Sequence, residues 1–316
     1  MSATRFTDLC GCQLPLQLAP MGGVASGPEL AAAVSGAGGL GMVAAVQPSI
    51  QLLAPVLDGV AARTGAPFGV NVLVPFVNPD LVAGAATRVR LVDFFYGDPD
   101  ASLVALVHDA GALAGWQVGS AAEARAAVEA GCDLVVAQGV EAGGHVRGRL
   151  GLVPLLAEVL DAVDVPVVAA GGITTARGVG AALAAGADAV RIGTRFIAAE
   201  EADAHPDYVA AILAAGGDDT VLTEAYSLGW PDAPHRVLRS CVDAATGLEV
   251  ELAGEMVLGG VPMPVPRWAP APPGRSATGH IAAMALYAGQ GVGAVRSIAP
   301  AAAIVAELTE GVVSRR

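Results

Sequence analysis

Lysine is absent from this 316-residue chain, and arginine supplies all 17 of its basic residues. Without lysine the protein cannot form a Schiff base with a carbonyl substrate. It also cannot bind phosphate through a glycine-rich loop of the kind that depends on a lysine side chain. Two classes of enzyme are thereby excluded before any motif is considered.

Charged residues are also scarce, at 15%, and acidic residues outnumber basic ones to give a net charge of −13. Nucleic-acid binding needs basic patches that neutralise phosphates, so this balance argues against a nucleic-acid partner. Hydrophobic residues reach 54%, which favours a large folded core over disorder. We therefore expect a folded protein that does not act on nucleic acid.

Only four cysteines occur, and their spacing fits neither a zinc site nor a redox-active CxxC pair. We assign none of them a role, and we expect Cys132 to be a small buried hydrophobe. Since no cluster of metal-ligating residues is evident, we predict no catalytic metal. The apolar runs are too short for a membrane span, and the first residues lack the features of a secretory signal. These absences favour a cytoplasmic enzyme without a membrane partner.

Short apolar runs alternate along the chain with alanine-rich segments of helical character. We expect strands at Leu16–Ala19, Gly41–Ala45, Phe68–Leu73, Leu91–Phe95, Leu113–Val118, Leu134–Ala137, Pro166–Ala170 and Ala189–Ile192. Helices are predicted near residues 28–37, 49–64, 80–88, 100–110, 121–130, 153–163 and 175–185. A helix between every two strands calls for parallel pairing. Eight such units predict an α/β fold of the closed (β/α)8 TIM-barrel type.

The pattern changes between residues 198 and 278, where proline becomes dense and the alternation of strands and helices stops. We interpret this segment as an insertion after strand eight, a small lid-like domain. Regular structure is expected to resume near Thr278, with the last barrel helix in the stretch up to Leu308. The predicted organisation is a barrel of residues 1–197 and 279–316, with residues 198–278 as an inserted cap.

Glycines follow the last two predicted strands, where barrel enzymes commonly bind phosphate. Gly171 and Gly172 come after strand seven and can present backbone N–H groups to an anion at a helix N-terminus. Gly193 and Thr194 follow strand eight and add N–H and hydroxyl donors. These glycines could instead be turn residues alone, but two matched sites favour a ligand. We therefore expect a phosphorylated ligand.

One segment combines an amide, a carboxylate, two adjacent glycines and an imidazole: residues 138–145, directly after strand six. Gly143 and Gly144 let the backbone approach a bound group closely, and His145 is an acid or base near neutral pH. We expect Glu141 to anchor backbone N–H groups or to orient the imidazole. The other histidines, at positions 108, 205, 235 and 280, lie in surface or helix-like contexts and are not expected to be catalytic, although the one at 235 could reach the substrate from the cap.

Two further strand exits carry residues suited to a flat ring. Strand one ends in the turn Ala19-Pro20-Met21-Gly22-Gly23, which could lay backbone against such a ring. The alternative is that Met21 only fills a gap in the core. Asn71, in strand three, could hydrogen-bond the polar edge of the ring.

These residues resemble the nitronate monooxygenase family, formerly called 2-nitropropane dioxygenases, which are FMN-dependent barrels. The resemblance extends over nearly the whole chain, and the run from Glu141 to His145 is its most specific element. The matching segments are Ala19 to Gly23, Phe68 to Asn71, Gln138 to His145, Ala169 to Ile173, Gly193 to Phe196 and Tyr287 to Gln290.

The resemblance implies that FMN is the cofactor and that His145 is the catalytic acid or base. It places the phosphate of FMN on the loops after strands seven and eight, in agreement with the glycines found there. The residues that would bind the cofactor are Ala19, Pro20, Met21, Gly22, Asn71, Gln138, Gly143, Gly144, Gly171, Gly172, Gly193, Thr194, Tyr287 and Gln290. Arg191 stands where many family members have glutamine, which leaves its effect on the cofactor open.

The activity that the resemblance implies is oxidation of alkyl nitronates by O2 to a carbonyl compound and nitrite. The alternative is an FMN-dependent ene-reductase that uses NAD(P)H, since enoyl-thioester reductases share the barrel and the glycine-histidine segment, or a related NAD(P)H:quinone reductase. A third interpretation is a non-catalytic sensor of phosphorylated ligands, which the intact His145 disfavours. The oligomeric state stays open.

Overall fold

A computed structural model describes residues 3–258 and 261–310 of the chain. Eight parallel strands, named β1 to β8 in chain order, form its central sheet. Their bounds lie within one residue of the predicted ones, so the strand assignment is confirmed. The strands are Leu16–Leu18 (β1), Gly41–Ala44 (β2), Phe68–Leu73 (β3), Leu91–Phe95 (β4), Leu113–Val118 (β5), Leu134–Gln138 (β6), Val167–Ala170 (β7) and Ala189–Ile192 (β8).

The sheet closes into a barrel. Each strand from β2 to β8 pairs in parallel with the next, and β8 pairs with β1. Gln17 of β1 forms a parallel bridge with Leu40, directly before β2. Backbone bonds from Leu18 N to Leu40 O and from Leu40 N to Leu16 O complete the closure. The predicted (β/α)8 barrel is confirmed.

Several of the barrel helices begin at a residue whose side chain caps the helix. The side chains of Ser120 and Thr175 each accept a hydrogen bond from a backbone N–H in the first turn of the following helix. The barrel helices are Pro28–Gly36, Ile50–Arg63, Pro79–Ala86, Ala101–Asp109, Ala121–Glu129, Leu152–Ala162, Ala176–Ala184 and Ala301–Thr309. The last of these packs against the first and the seventh and so completes the ring.

The amino-terminal end of the barrel is filled with apolar side chains. A short helix, Arg5–Cys10, lies there, and its Phe6 is fully buried against Met42, Leu91 and other strand residues. This plug leaves the carboxyl ends of the strands as the open end of the barrel. Cys132 is buried, as expected.

Residues 198–278 form further structure beside the open end. One three-stranded sheet joins Thr220–Thr223 and His235–Leu238 to Gly144–His145 of the loop after β6. A second sheet contains Leu252–Leu258, Val261–Pro266 and Thr278–Gly279. Buried residues of the segment, such as Tyr226, belong to the main hydrophobic core together with barrel residues. The remaining elements are the α-helices Thr194–Ile197, Pro206–Ala214 and Arg239–Thr246 and the 3-10 turns Val74–Phe76, Gly217–Asp219, Ile281–Ala283 and Gln290–Ala294.

The division into a barrel and an inserted cap stays a prediction, and residues 1–2 and 311–316 of its barrel part lie outside the described residues. Among the helices that the structure describes, none has the length and apolar character needed to cross a membrane.

Candidate active site

A cavity of about 440 Å³ opens at the carboxyl ends of the barrel strands. Each of the eight strands, or the residues directly after it, contributes to the lining. Residues from 198–278, such as Trp230, Met256 and Pro272, line its outer part. Active sites of (β/α)8 enzymes lie at this end of the barrel, and the volume falls in the range of small-molecule and cofactor sites.

The structure brings nearly all of the predicted site residues together around this cavity. Gln290 differs: it does not line the cavity, its side chain is exposed, and its backbone N–H donates to the carbonyl of Glu141. The predicted residues that do line it are Ala19, Pro20, Met21, Gly22, Asn71, Gln138, Gly143, Gly144, His145, Gly171, Gly172, Gly193, Thr194 and Tyr287.

The glycines after β7 and β8 are required by the backbone and by close packing. Gly171 and Gly172 have φ values of 108° and 69°, which favour glycine over other residues. A Cβ on Gly172 would lie 3.1 Å from Cβ of Glu141, and one on Gly193 would lie 3.1 Å from Cβ of Ala19. The backbone of both loops can therefore approach a bound group without a side chain between them.

The loop after β6 is held in place by its own polar side chains. Both carboxylate oxygens of Glu141 accept from the backbone N–H of Leu152, at 2.9 and 3.0 Å. Of the two roles expected for Glu141, the structure therefore shows the anchoring of backbone. Gln138 donates from Nε2 to the carbonyl of His145 at 3.1 Å, which fixes the backbone of the histidine.

His145 is surrounded by aromatic rings. Its imidazole stacks on Trp230, with ring centroids 3.9 Å apart and an interplanar angle of 20°. The rings of Tyr96 and Tyr287 each lie 5.7 Å from it, and that of His235 lies 5.2 Å away. Burial, reinforced by the neighbouring His235, lowers the pKa of His145 to about 3. The imidazole is therefore neutral at pH 7, and its buried Nε2 has no hydrogen-bond partner among the described residues.

His235 is fully buried, so the expectation that it lies in a surface context is wrong. Its strand pairs with the loop after β6, placing His235 opposite His145 in the sheet. Nδ1 of His235 lies 2.9 Å from the carbonyl of Ala233, to which it must donate, and Nε2 accepts from the backbone N–H of Tyr226 at 3.2 Å. With both nitrogens occupied and its pKa lowered by burial, His235 stays neutral and is a structural neighbour of His145.

The floor of the cavity is a buried ion pair that sequence reasoning did not find. Arg191 donates from Nη1 to Asp93 at 3.0 Å and to Gln117 at 2.6 Å, and from Nε to Gln17 at 2.9 Å. Asn71 donates to the same carboxylate oxygen of Asp93 at 2.7 Å. An aspartate in the middle of the apolar strand Leu91–Phe95 was the available signal, because a buried charge needs a partner.

No group of three or more potential metal-ligating side chains occurs in the part of the chain that the structure describes. The closed (β/α)8 barrel has its glycine-lined cavity and a neutral histidine at the end where enzymes of this fold have their active sites.

A family model for nitronate monooxygenase matches residues 3–83 and 77–311. The chain therefore belongs to the nitronate monooxygenase family, as its motifs indicated. It is an oxidoreductase of a flavin-dependent family.

Relatives with different activities share this similarity. The chain is 37% identical over 250 residues to a (3aS,4S,5R,7aS)-5-hydroxy-7a-methyl-1-oxo-octahydro-1H-indene-4-carboxyl-CoA dehydrogenase of Rhodococcus jostii (strain RHA1), which covers 78% of this chain and 68% of the relative. It is 34% identical over 259 residues to a probable nitronate monooxygenase of Bacillus subtilis (strain 168), covering 67% of this chain and 74% of that protein.

Two solved structures of differently named proteins are also similar to this chain. FabK from Thermotoga maritima superposes with a TM-score of 0.80 at 33% identity, covering 98% of this chain and 96% of that one. A nitroalkane oxidase from Streptomyces ansochromogenes superposes with a TM-score of 0.78 at 32% identity, covering 99% and 100%. The family and the fold are shown, and the reaction is narrowed to oxidoreductase chemistry.

Proposed function

We propose that this protein binds FMN and oxidises alkyl nitronates with O2 to a carbonyl compound and nitrite, with His145 as the catalytic acid or base. One observation carries the proposal: the neutral imidazole of His145 lines the cavity with an unpartnered Nε2. A buried polar atom without a partner in the described chain is the feature expected where a substrate supplies the partner.

The residues around the cavity fit FMN. Gly171, Gly172, Gly193 and Thr194 would hold its phosphate through backbone and hydroxyl donors, which suits a lysine-free chain. The flavin ring and ribityl chain would contact the turn at Met21 and Gly22, and the other residues in contact would be Asn71, Gln138, Gly143 and Gly144. When bound, FMN would accept electrons from an electron-rich carbon and pass them to O2.

The protein's own contribution is proton transfer and binding. A nitroalkane loses the proton on the carbon next to its nitro group, and the neutral Nε2 of His145 is placed to accept that proton. The resulting imidazolium then lies beside the nitronate anion and stabilises it. For a nitronate that arrives already ionised, the neutral imidazole would instead donate a hydrogen bond from Nε2–H to a nitro oxygen. General acid–base help of this kind contributes typically about 10²–10⁴-fold to the rate.

The lining of the cavity suits a small substrate with an apolar body. Val46, Leu73, Phe95 and Val257 line it together with Trp230. Among the described lining residues, the only guanidinium is that of Arg191, and it is paired with Asp93.

A second candidate is oxidation or reduction next to the carbonyl of a thioester, with NAD(P)H or another electron carrier as the partner. The similarity to the carboxyl-CoA dehydrogenase and to FabK favours it. His145 would then exchange the proton on the carbon next to the thioester carbonyl. An NAD(P)H:quinone reductase is the related possibility in which no such proton is needed.

The experiment is a steady-state panel on the FMN-loaded protein. Alkyl nitronates are compared with enoyl and acyl thioesters, with and without NADH or NADPH. We expect nitrite release from nitronates without any nicotinamide. Thioester turnover without nitrite would instead establish the second candidate, and a purified protein that takes up no FMN would contradict both.

A further inference from the structure

We propose that Arg191 sets the reduction potential of the bound flavin: it supplies the positive charge that favours the anionic reduced form, and Asp93 moderates that charge. The inference rests on the flavin binding of the proposed function, but it is independent of the substrate. It concerns residues that the motif-based site did not include.

The pair is deeply buried at the floor of the cavity. The side chain of Arg191 is 2% exposed and that of Asp93 is fully buried, and their nearest atoms are 3.0 Å apart. Arg191 belongs to the cavity lining, as do Gln117 and Asn71, which bond to this pair. A charge in this position acts in a low-dielectric interior, where it is screened far less than at the surface.

The hydrogen bonds of Arg191 are incomplete. Its Nε and Nη1 donate to Gln17, Asp93 and Gln117, whereas Nη2 has no acceptor within residues 3–258 and 261–310. A guanidinium has five donors, two of them on Nη2. Leaving a buried donor unpaired is unfavourable, and more so for a charged group. Both donors of Nη2 are buried and unpaired on a residue of the cavity lining, so no acceptor in the described residues offsets their positive charge.

Arg191 and Asp93 form a pair without net charge, but only Arg191 belongs to the cavity lining. One carboxylate oxygen of Asp93 accepts from both Arg191 and Asn71, while the other has no partner in the described residues. His145 is neutral at pH 7 and adds no cation to the cavity. Arg191 is therefore the positive group that a bound flavin meets there.

A reduced flavin carries a negative charge on its pyrimidine portion at neutral pH, whereas the oxidised flavin is neutral. A nearby cation therefore stabilises the reduced form more than the oxidised one and makes the potential more positive. Charge close to the ring nitrogens is one of the means by which a protein tunes a flavin. The negative charge of Asp93 must destabilise the reduced form and make the potential more negative.

The test measures the two-electron reduction potential and the dissociation constant for sulfite of the FMN-loaded protein, since the sulfite adduct of a flavin is also anionic. Arg191→Gln is expected to favour oxidised over reduced FMN at least tenfold, a shift of about −30 mV for a two-electron couple, and to weaken sulfite binding. Asp93→Asn is expected to make the reduction potential more positive and to strengthen sulfite binding. The double variant Arg191→Gln/Asp93→Asn is expected to lie between the two single variants.

Arg195→Gln is the matched control. The side chain of Arg195 is also 2% exposed, but it pairs with Glu307 and does not line the cavity. Its loss should leave the potential unchanged. Breaking one partner of a buried pair can prevent folding, so if Arg191→Gln fails to fold, Asp93→Asn and the double variant carry the test.

Ratios of reduced to oxidised FMN at a fixed potential, and sulfite affinities, within twofold of wild type in all variants would overturn the inference. Shifts of the same sign in Arg191→Gln and Asp93→Asn would also overturn it. Absence of FMN binding in the wild type would overturn it together with the proposed cofactor. If the opposite shifts are found but nitronates are not oxidised, the role of Arg191 stands and only the proposed substrate fails.

Discussion

The imidazole of His145 and the indole of Trp230 are stacked face to face, with centroids 3.9 Å apart. The two residues come from distant parts of the chain, because Trp230 lies in the segment 198–278. The strand that follows it pairs with the loop of His145 and brings the segment to the barrel mouth. The stack covers one face of the imidazole with an apolar ring and contributes to the desolvation that keeps it neutral.

Replacing His145 by alanine should abolish most turnover without loss of the cofactor. The imidazole belongs to the cavity lining, whereas the loops proposed to hold the phosphate follow other strands, β7 and β8. We expect the rate of nitronate oxidation to fall about 10²–10⁴-fold, with FMN content unchanged. His280→Ala, at an exposed position outside this cavity, is the control. A wild-type rate in His145→Ala would remove the histidine from the mechanism.

Removing the indole should raise the pKa of His145. In the wild type the imidazole, with a pKa of about 3, should show little titration by NMR between pH 8 and about 4. Trp230→Ala admits water to the exposed face, and we expect the pKa to rise by about one unit or more towards its usual range. Trp230→Phe retains an apolar ring and should behave like the wild type. An identical titration in all three proteins would show that stacking on Trp230 does not affect the protonation of His145.

Stability should fall with decreasing pH partly because of His145. The unfolded protein binds a proton near pH 6.5, but the folded protein does so only near pH 3, since its pKa is lowered. Between these values the unfolded state binds more protons, so the free energy of unfolding decreases as the pH falls, by at most about 1.4 kcal/mol per pH unit from this group.

His145→Gln removes that contribution while other groups, including the buried His235, remain. Urea unfolding at several pH values from 6.5 to 4.5 should therefore give a shallower dependence in the variant than in the wild type. Parallel curves would mean that the imidazole is protonated in the folded protein.

A methyl group at Gly172 should weaken FMN binding. The φ of 69° at this residue is disfavoured for alanine by about 1–2 kcal/mol, and the added Cβ would lie 3.1 Å from that of Glu141. We expect the dissociation constant for FMN to rise about tenfold or more in Gly172→Ala. Gly180→Ala places a methyl group in open space within a helix and serves as the control. Equal FMN affinities for both variants would contradict the assignment of the phosphate loop.

The barrel could be predicted because each of its strands and helices is indicated by residues that are close together in the sequence. Apolar runs of strand length and capping residues such as Ser120 and Thr175 recur once per unit, and each is readable without knowledge of distant residues. The glycines after β7 and β8 are visible in the sequence, and the predicted barrel places them where phosphate sites recur, so their phosphate role is a prediction from the fold.

Contacts between distant segments could not be predicted in the same way. Arg191 pairs with Asp93 across the barrel interior. The sequence around either residue does not indicate which distant residue is its partner. The burial of His235 depends on its strand pairing with the loop after β6. The proline-rich sequence around His235 indicated a surface position, but the pairing of its strand with a distant loop buries it.

The most direct test of the proposed reaction is anaerobic mixing of the FMN-loaded protein with an alkyl nitronate and, separately, with NADH and NADPH, followed by flavin absorbance. We predict rapid bleaching by the nitronate, much slower bleaching in His145→Ala, and none by either nicotinamide. Rapid bleaching by NADH or NADPH with none by the nitronate would contradict the oxidase mechanism and make the protein a reductase.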